Sequence, residues 1–120
     1  MGKEIKNSFH LQAAMRLSMD NAIAMRNPFF TPEHLVSAII VQEPTINALR
    51  DMGIDHGELL RPLLNYTRDL GFVPGEAPYT IEPSQQFQQL IMGAVEIMHS
   101  SSAQELEITH VLRSAMYLED

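Results

Sequence analysis

An all-α fold is predicted by three observations. Apolar residues recur at helical spacing in several segments, hydroxyl and carboxylate side chains stand where helix N-caps are needed, and β-strand signals are weak throughout. At 120 residues, 45% of them hydrophobic, the chain suits one domain, residues 1–120. A domain of this size buries roughly two-thirds of its unfolded surface, so its core needs no disulfide or metal staple.

The first long helix is read from about Ser8 to Arg26, with Leu11, Met15, Ser18, Ala22 and Met25 on one face and Asn27-Pro28 ending it. Thr31-Pro32-Glu33 is a start signal. The hydroxyl can accept an orphan amide, the proline presets the opening dihedral, and the carboxylate suits the positive end of the helix dipole. A short buried helix, His34 to Val41, follows. After Pro44, the residues Ile46, Leu49 and Met52 predict a third helix ending at Gly53. Asp55 and Glu58 make a capping-box-like pair before Leu59, Leu60, Leu63 and Leu64, where Pro62 predicts a kink or restart.

Residues 69–83 hold Gly71, Pro74, Gly75, Pro78 and Pro83 with no helical period, which reads as a connector. Ser84 then caps a second long helix with Phe87, Ile91, Ala94 and Met98 on its face, closed by Ser100-Ser101-Ser102. A last apolar stretch runs from Ile108 through Val111, Leu112, Ala115 and Met116.

Sliding the chain by 76 positions superposes two such units without a gap: Ser8 on Ser84, Leu11 on Phe87, Met15 on Ile91, Ser18 on Ala94 and His34 on His110. The bundle is therefore pseudo-duplicated, with repeat one at 8–68, the connector at 69–83 and a partial repeat two at 84–120. The third and fourth helices of repeat one map onto positions 120 to 144, so the second repeat is incomplete. Either further helices belong after residue 120 or another surface covers the apolar face they would have covered.

The formal charge of -7 is uneven. Residues 1–70 carry seven basic and eight acidic side chains, whereas residues 71–120 carry only Arg113 against seven carboxylates. The second half is an anionic surface suited to steering cationic partners or to solubility. Such a surface disfavours nucleic acid, and the absence of cysteine excludes thiol chemistry and thiolate metal sites. No apolar run reaches the roughly 20 residues of a bilayer span. The opening Met1-Gly2-Lys3-Glu4-Ile5-Lys6 lacks an apolar signal core, so a cytoplasmic location without membrane attachment is expected.

Thr31-Pro32-Glu33-His34-Leu35-Val36-Ser37-Ala38-Ile39 and the turn Met52-Gly53-Ile54-Asp55, within a duplicated helical chain, resemble the N-terminal domain of Clp-type AAA+ unfoldases. The second copy, Ile108-Thr109-His110-Val111-Leu112-Arg113-Ser114-Ala115-Met116, is a looser version. Phe87, Leu90 and Ala94 before a serine-rich loop look most like the degradation-linked, adaptor-using branch, the regulatory subunit of the Clp protease. A stand-alone regulator, or the N-domain of a disaggregase or secretion-type Clp ATPase, is the alternative.

The resemblance implies a mobile docking domain that receives substrate polypeptides or an adaptor for a hexameric, peptidase-bound ATPase ring. This chain has no Gly-x-x-x-x-Gly-Lys-Ser/Thr, so ATP belongs to the parent protein; no catalytic residue, cofactor or metal is assigned here. In Gram-positive relatives a glutamate of the signature in each repeat helps receive phosphorylated arginine. Glu33 stands at the first position and Thr109 at the second, which removes half the charge pairing for a guanidinium and leaves peptide or adaptor docking.

The candidate contacts are Phe29, Phe30, Glu33, Glu107 and Thr109. Two adjacent aromatics cannot both turn inward easily, and repeat symmetry brings the two signature turns into comparable positions. Two Glu-x-x-His patterns, Glu96 with His99 and Glu107 with His110, match the spacing of a di-metal carboxylate bundle. The first long helix offers only Asp20 as an inward carboxylate, so His99 is read as a surface residue and His34 and His110 as core or capping histidines. Most of the eight methionines are read as core, because their spacing coincides with the apolar stripes.

Overall fold

The computed structural model describes residues 5–118; Met1 to Glu4 of the opening segment, and Glu119 and Asp120, lie outside the described residues. In chain order the elements are α1 (Phe9–Ala24), β1 (Phe29–Phe30), α2 (Pro32–Ile40), α3 (Glu43–Asp51), α4 (His56–Asp69), β2 (Glu82–Pro83), α5 (Gln85–Ser100) and α6 (Ile108–Ala115). The all-α class holds, with two-residue strands as the only addition among the described residues. No helix among them is long and apolar enough to cross a membrane.

Each long helix begins on its serine. Ser8 Oγ accepts the Leu11 amide at 3.3 Å, and Ser84 Oγ accepts the Phe87 amide at 3.0 Å. Each ends in the same left-handed residue, Arg26 at φ 53° and Ser102 at φ 57°, and in the same closing bond, Asn27 N–H to Ala22 O and Ala103 N–H to Met98 O. All of these pairs are 76 residues apart, so the duplication extends from apolar spacing to backbone dihedrals. Pro62 lies inside an α4 that runs unbroken from His56 to Asp69, so the helix does not restart there. Both Pro62 and Glu58, whose carbonyl loses its partner, are exposed, so the missing bond falls on the solvent side.

The repeats are interleaved. β1 pairs in parallel with β2, Phe29 opposite Glu82 and Phe30 opposite Pro83, and the Ser84 amide donates to Phe30 O at 2.9 Å. At the equivalent place Asn7 pairs in parallel with Leu106, and the Ser8 amide donates to Leu106 O at 2.9 Å. The segment entering each short helix is thus hydrogen-bonded to the segment entering the other repeat's long helix. Leu11, Phe30, Leu35 and Ile39 of repeat one and Phe87, Leu90, Ala94 and Val111 of repeat two form one core between them.

The connector is tied to the end of α1. Val73 N–H donates to Arg26 O at 2.7 Å, Arg26 donates to Val73 O and Ala77 O, and its guanidinium sits 4.8 Å over the Tyr79 ring, whose hydroxyl donates to Asn27 O. The methionine reading needs correction: Met98 is buried, but Met25, Met92 and Met116 are 45%, 66% and 81% exposed.

In repeat two the helices approach at Gly93, where an added Cβ would overlap Ser114 Oγ, and that hydroxyl donates to Leu90 O at 2.8 Å. The counterparts in repeat one are Leu17 and Ala38, the large side chain being on the other helix position. Gly93→Ala is therefore expected to cost about 1–2 kcal/mol, the overpacking outweighing alanine's higher helix propensity. In a Ser114→Ala background the added methyl meets a Cβ at 3.5 Å, an ordinary contact, and the same substitution should stabilise by up to about 1 kcal/mol. A double-mutant cycle in urea checks this, and additive effects would refute the contact.

Candidate functional site

The starts of α2 and α5 converge on a groove of about 510 Å³. Thr31, Pro32 and Glu33 contribute one side, Ser84 and Gln86 another, and Pro62, Leu63 and Tyr66 of α4 form an apolar wall completed by Leu118. Capping explains the convergence, because the β1–β2 ladder that ends at Phe30 and Pro83 delivers Thr31 and Ser84 side by side as N-caps. Glu33 is half-buried on the groove and makes no ion pair among the described residues. Its carboxylate is available to a cation.

The five residues singled out from the sequence fall in different places. Phe30 is core, 1% exposed, while Phe29 is 46% exposed, as strand alternation requires of neighbours. Glu33 lies in the groove. Glu107 is exposed and lines a separate depression with Lys6 and Glu105, and Thr109 is exposed at the start of α6. The groove thus gathers Glu33 alone of the five. Leu63, Tyr66 and Leu118 were missed, since only the tertiary fold brings these distant segments together.

Behind the groove, His34 closes the capping box of α2. The Thr31 amide donates to His34 Nδ1 at 3.0 Å, which places the ring proton on Nε2, 2.9 Å from Asn27 Oδ1. Asn27 Nδ2 donates onward to Thr67 O at 3.3 Å and Gly71 O at 3.0 Å, holding the end of α4. Burial pushes the His34 imidazole down from its ordinary 6.5 to about 4. His110 repeats the cap, accepting the Glu107 amide at 2.9 Å, but Asn27 is replaced by Ala103, and among the described residues no side-chain acceptor follows.

A second cavity, about 300 Å³, lies between α1, α2 and α4, with Leu17, Met25, Val41, Leu60 and Leu64 around it. Its hydroxyls are already satisfied within their helices, Ser18 to Ala14 O and Ser37 to Glu33 O. Glu96, His99 and Glu107 are exposed and His110 is buried; among the described residues no three His, Asp or Glu side chains converge at metal-binding distance.

Two interleaved helical repeats with a groove at their shared capping edge define a helical repeat domain of the Clp N-terminal class. A family model described as the Clp repeat (R) N-terminal domain matches residues 6–120, and the chain belongs to that family. The Hsp104 N-terminal domain from Candida albicans is similar in structure, with a TM-score of 0.80 at 17% identity over 93% of this chain and 74% of that one. So is the N-terminal domain of the caseinolytic protease associated chaperone ClpD from Arabidopsis thaliana, with a TM-score of 0.71 at 14% identity over 100% of this chain and 82% of that one. No curated protein matches the chain in sequence.

Proposed function

We propose that this chain docks substrate polypeptides or an adaptor protein and presents them to a cytoplasmic, ATP-driven Clp unfoldase. The observation that carries the reading is the groove at the starts of α2 and α5, apolar along Pro62, Leu63, Tyr66 and Leu118, with the Glu33 carboxylate, which makes no ion pair among the described residues, on it. An apolar side chain of the partner enters against α4 while a lysine or arginine beside it meets Glu33, and the half-exposed Phe29 adds a contact at the ladder. The chemistry is association alone. ATP hydrolysis belongs to a hexameric parent ring, and Phe87, Leu90 and Ala94 before the serine loop favour the branch in which that ring feeds a peptidase. Those three residues are core, so they mark the branch without touching the partner.

Titrating the chain with a fluorescent peptide carrying one leucine and flanking arginines, at low and high salt, tests this. Binding should weaken with salt, and Glu33→Gln should weaken it about 2- to 5-fold, as for an exposed ion pair, and flatten the salt dependence. Glu107→Gln, outside the groove, should change neither. Binding indifferent to Glu33→Gln would remove Glu33 from the site.

A further inference from the structure

We propose that the cavity between α1, α2 and α4 is a binding site for a small uncharged apolar molecule, of the alkylbenzene kind, that enters between Leu17, Met25, Val41 and Leu64. All three walls belong to repeat one, whereas the 76-residue offset places whatever follows residue 120 against α6 of repeat two. The hollow of about 300 Å³ stands near the small end of the range for ligand cavities, roughly 300–1,000 Å³. The four side chains at its mouth are between 42% and 49% exposed, so apolar surface that could have closed the space is left in water around it. Repeat two shows the closed alternative. There Gly93 stands for Leu17 and Ser114 for Ala38, and the Ser114 hydroxyl donates across to Leu90 O of α5 at 2.8 Å, holding the two helices in contact. In repeat one both serines on the cavity bond within their own helices, Ser18 to Ala14 O at 2.7 Å and Ser37 to Glu33 O at 2.6 Å.

The chemistry of the lining selects the occupant. No Asp, Glu, Lys or Arg lines the cavity, in a chain of formal charge -7, while the groove holds Glu33. Its buried polar groups are already spent: besides the two serines, the Thr67 hydroxyl donates to Leu64 O at 3.0 Å, and both His34 nitrogens are engaged, with the Thr31 amide and Asn27 Oδ1. Burial also keeps the His34 ring neutral, its pKa pushed down to about 4. An ion inside would lose its hydration and find neither counter-charge nor hydrogen bond, whereas apolar cavities stay dry and take up benzene-sized molecules. A polypeptide is a poor fit. Its main chain needs a partner for each amide, and the mouth offers it one exposed polar side chain, Asn21, among apolar neighbours. The cavity and the groove share no lining residue, so this inference and the docking reading fail independently.

Toluene, benzoate and benzylammonium, alike in ring and size, are the probes, titrated into the chain with isotope-labelled methyl groups. Toluene should raise the melting temperature and shift the methyl signals of Met25, Val41 and Leu64, and the two ions should bind at least about 10-fold more weakly. Val41→Asp, which sets a charge at the mouth on an exposed position, should weaken toluene binding about 5-fold or more, with Leu64→Lys as a second variant. Met92→Ser, at an exposed methionine outside the cavity, should leave it unchanged. An unchanged circular dichroism spectrum shows that the variants fold. No binding of toluene, equal affinity for either ion, or indifference to both mouth variants overturns the proposal. So does a leucine-bearing peptide that shifts the same methyl signals and competes with toluene, because the cavity would then hold a side chain of a polypeptide.

Discussion

Phe30→Ala is expected to destabilise the domain by about 3–5 kcal/mol, the range for deleting a buried phenylalanine. Phe30 is 1% exposed and joins the repeats: its ring stacks on His34 with centroids 5.5 Å apart and meets the edge of Phe87, from α5, at 4.8 Å and 62°. Neighbours from two repeats, anchored by a strand ladder, cannot both collapse into the space left behind. At about 4–8 °C per kcal/mol for a domain near this size, the loss should be plain in a thermal melt followed by circular dichroism. Phe29→Ala is the control, and with its ring 46% exposed it should cost about 1 kcal/mol or less. A larger effect at Phe29 than at Phe30 would mean that the ladder has the other register.

Acidification should weaken the fold through His34, on the order of 3 kcal/mol between neutral pH and pH 4. The folded-state pKa, about 4, lies below the 6.5 of the free side chain, so folding favours the neutral ring. That stabilisation is complete above pH 6.5, declines as the pH falls toward 4, and is absent below both values. The cause is burial, and geometry agrees: a proton on Nδ1 would set N–H against the Thr31 amide that now donates to it. Urea unfolding across this range, for the chain and for His34→Gln, isolates the effect, since the carboxylates are common to both. The gap in stability between them should be widest near neutrality and narrow with falling pH. A gap independent of pH would show that His34 is not buried neutral.

Much of the helical frame was legible because its signals are local. Ser8, Thr31, Asp55 and Ser84 each cap the helix they were read to open, and the 76-residue offset holds even in the left-handed residues that end α1 and α5. What stayed hidden depends on distant partners. The connector has no period of its own, and it is ordered by Arg26, 47 to 51 residues upstream, through backbone carbonyls that leave no mark on composition. Met116 looked like core because it falls on an apolar stripe, but a stripe tells which side of a helix can be covered and nothing about whether a cover exists. The groove is the extreme case. Glu33 was legible from the signature, but its wall comes from α4 and Leu118, and their meeting follows from packing alone.

The interleaving of the entry segments also sets a limit on copy number. In a solenoid each unit touches only its neighbours, leaves an end open, and can be extended by another unit. Here the segment before α2 is satisfied by the one before α5, and the segment before α6 by the one before α1. The exchange is reciprocal and closes on itself, as a two-fold dimer does. Two is a saturated valence for this exchange, which leaves no entry segment among the described residues for a third repeat to pair with.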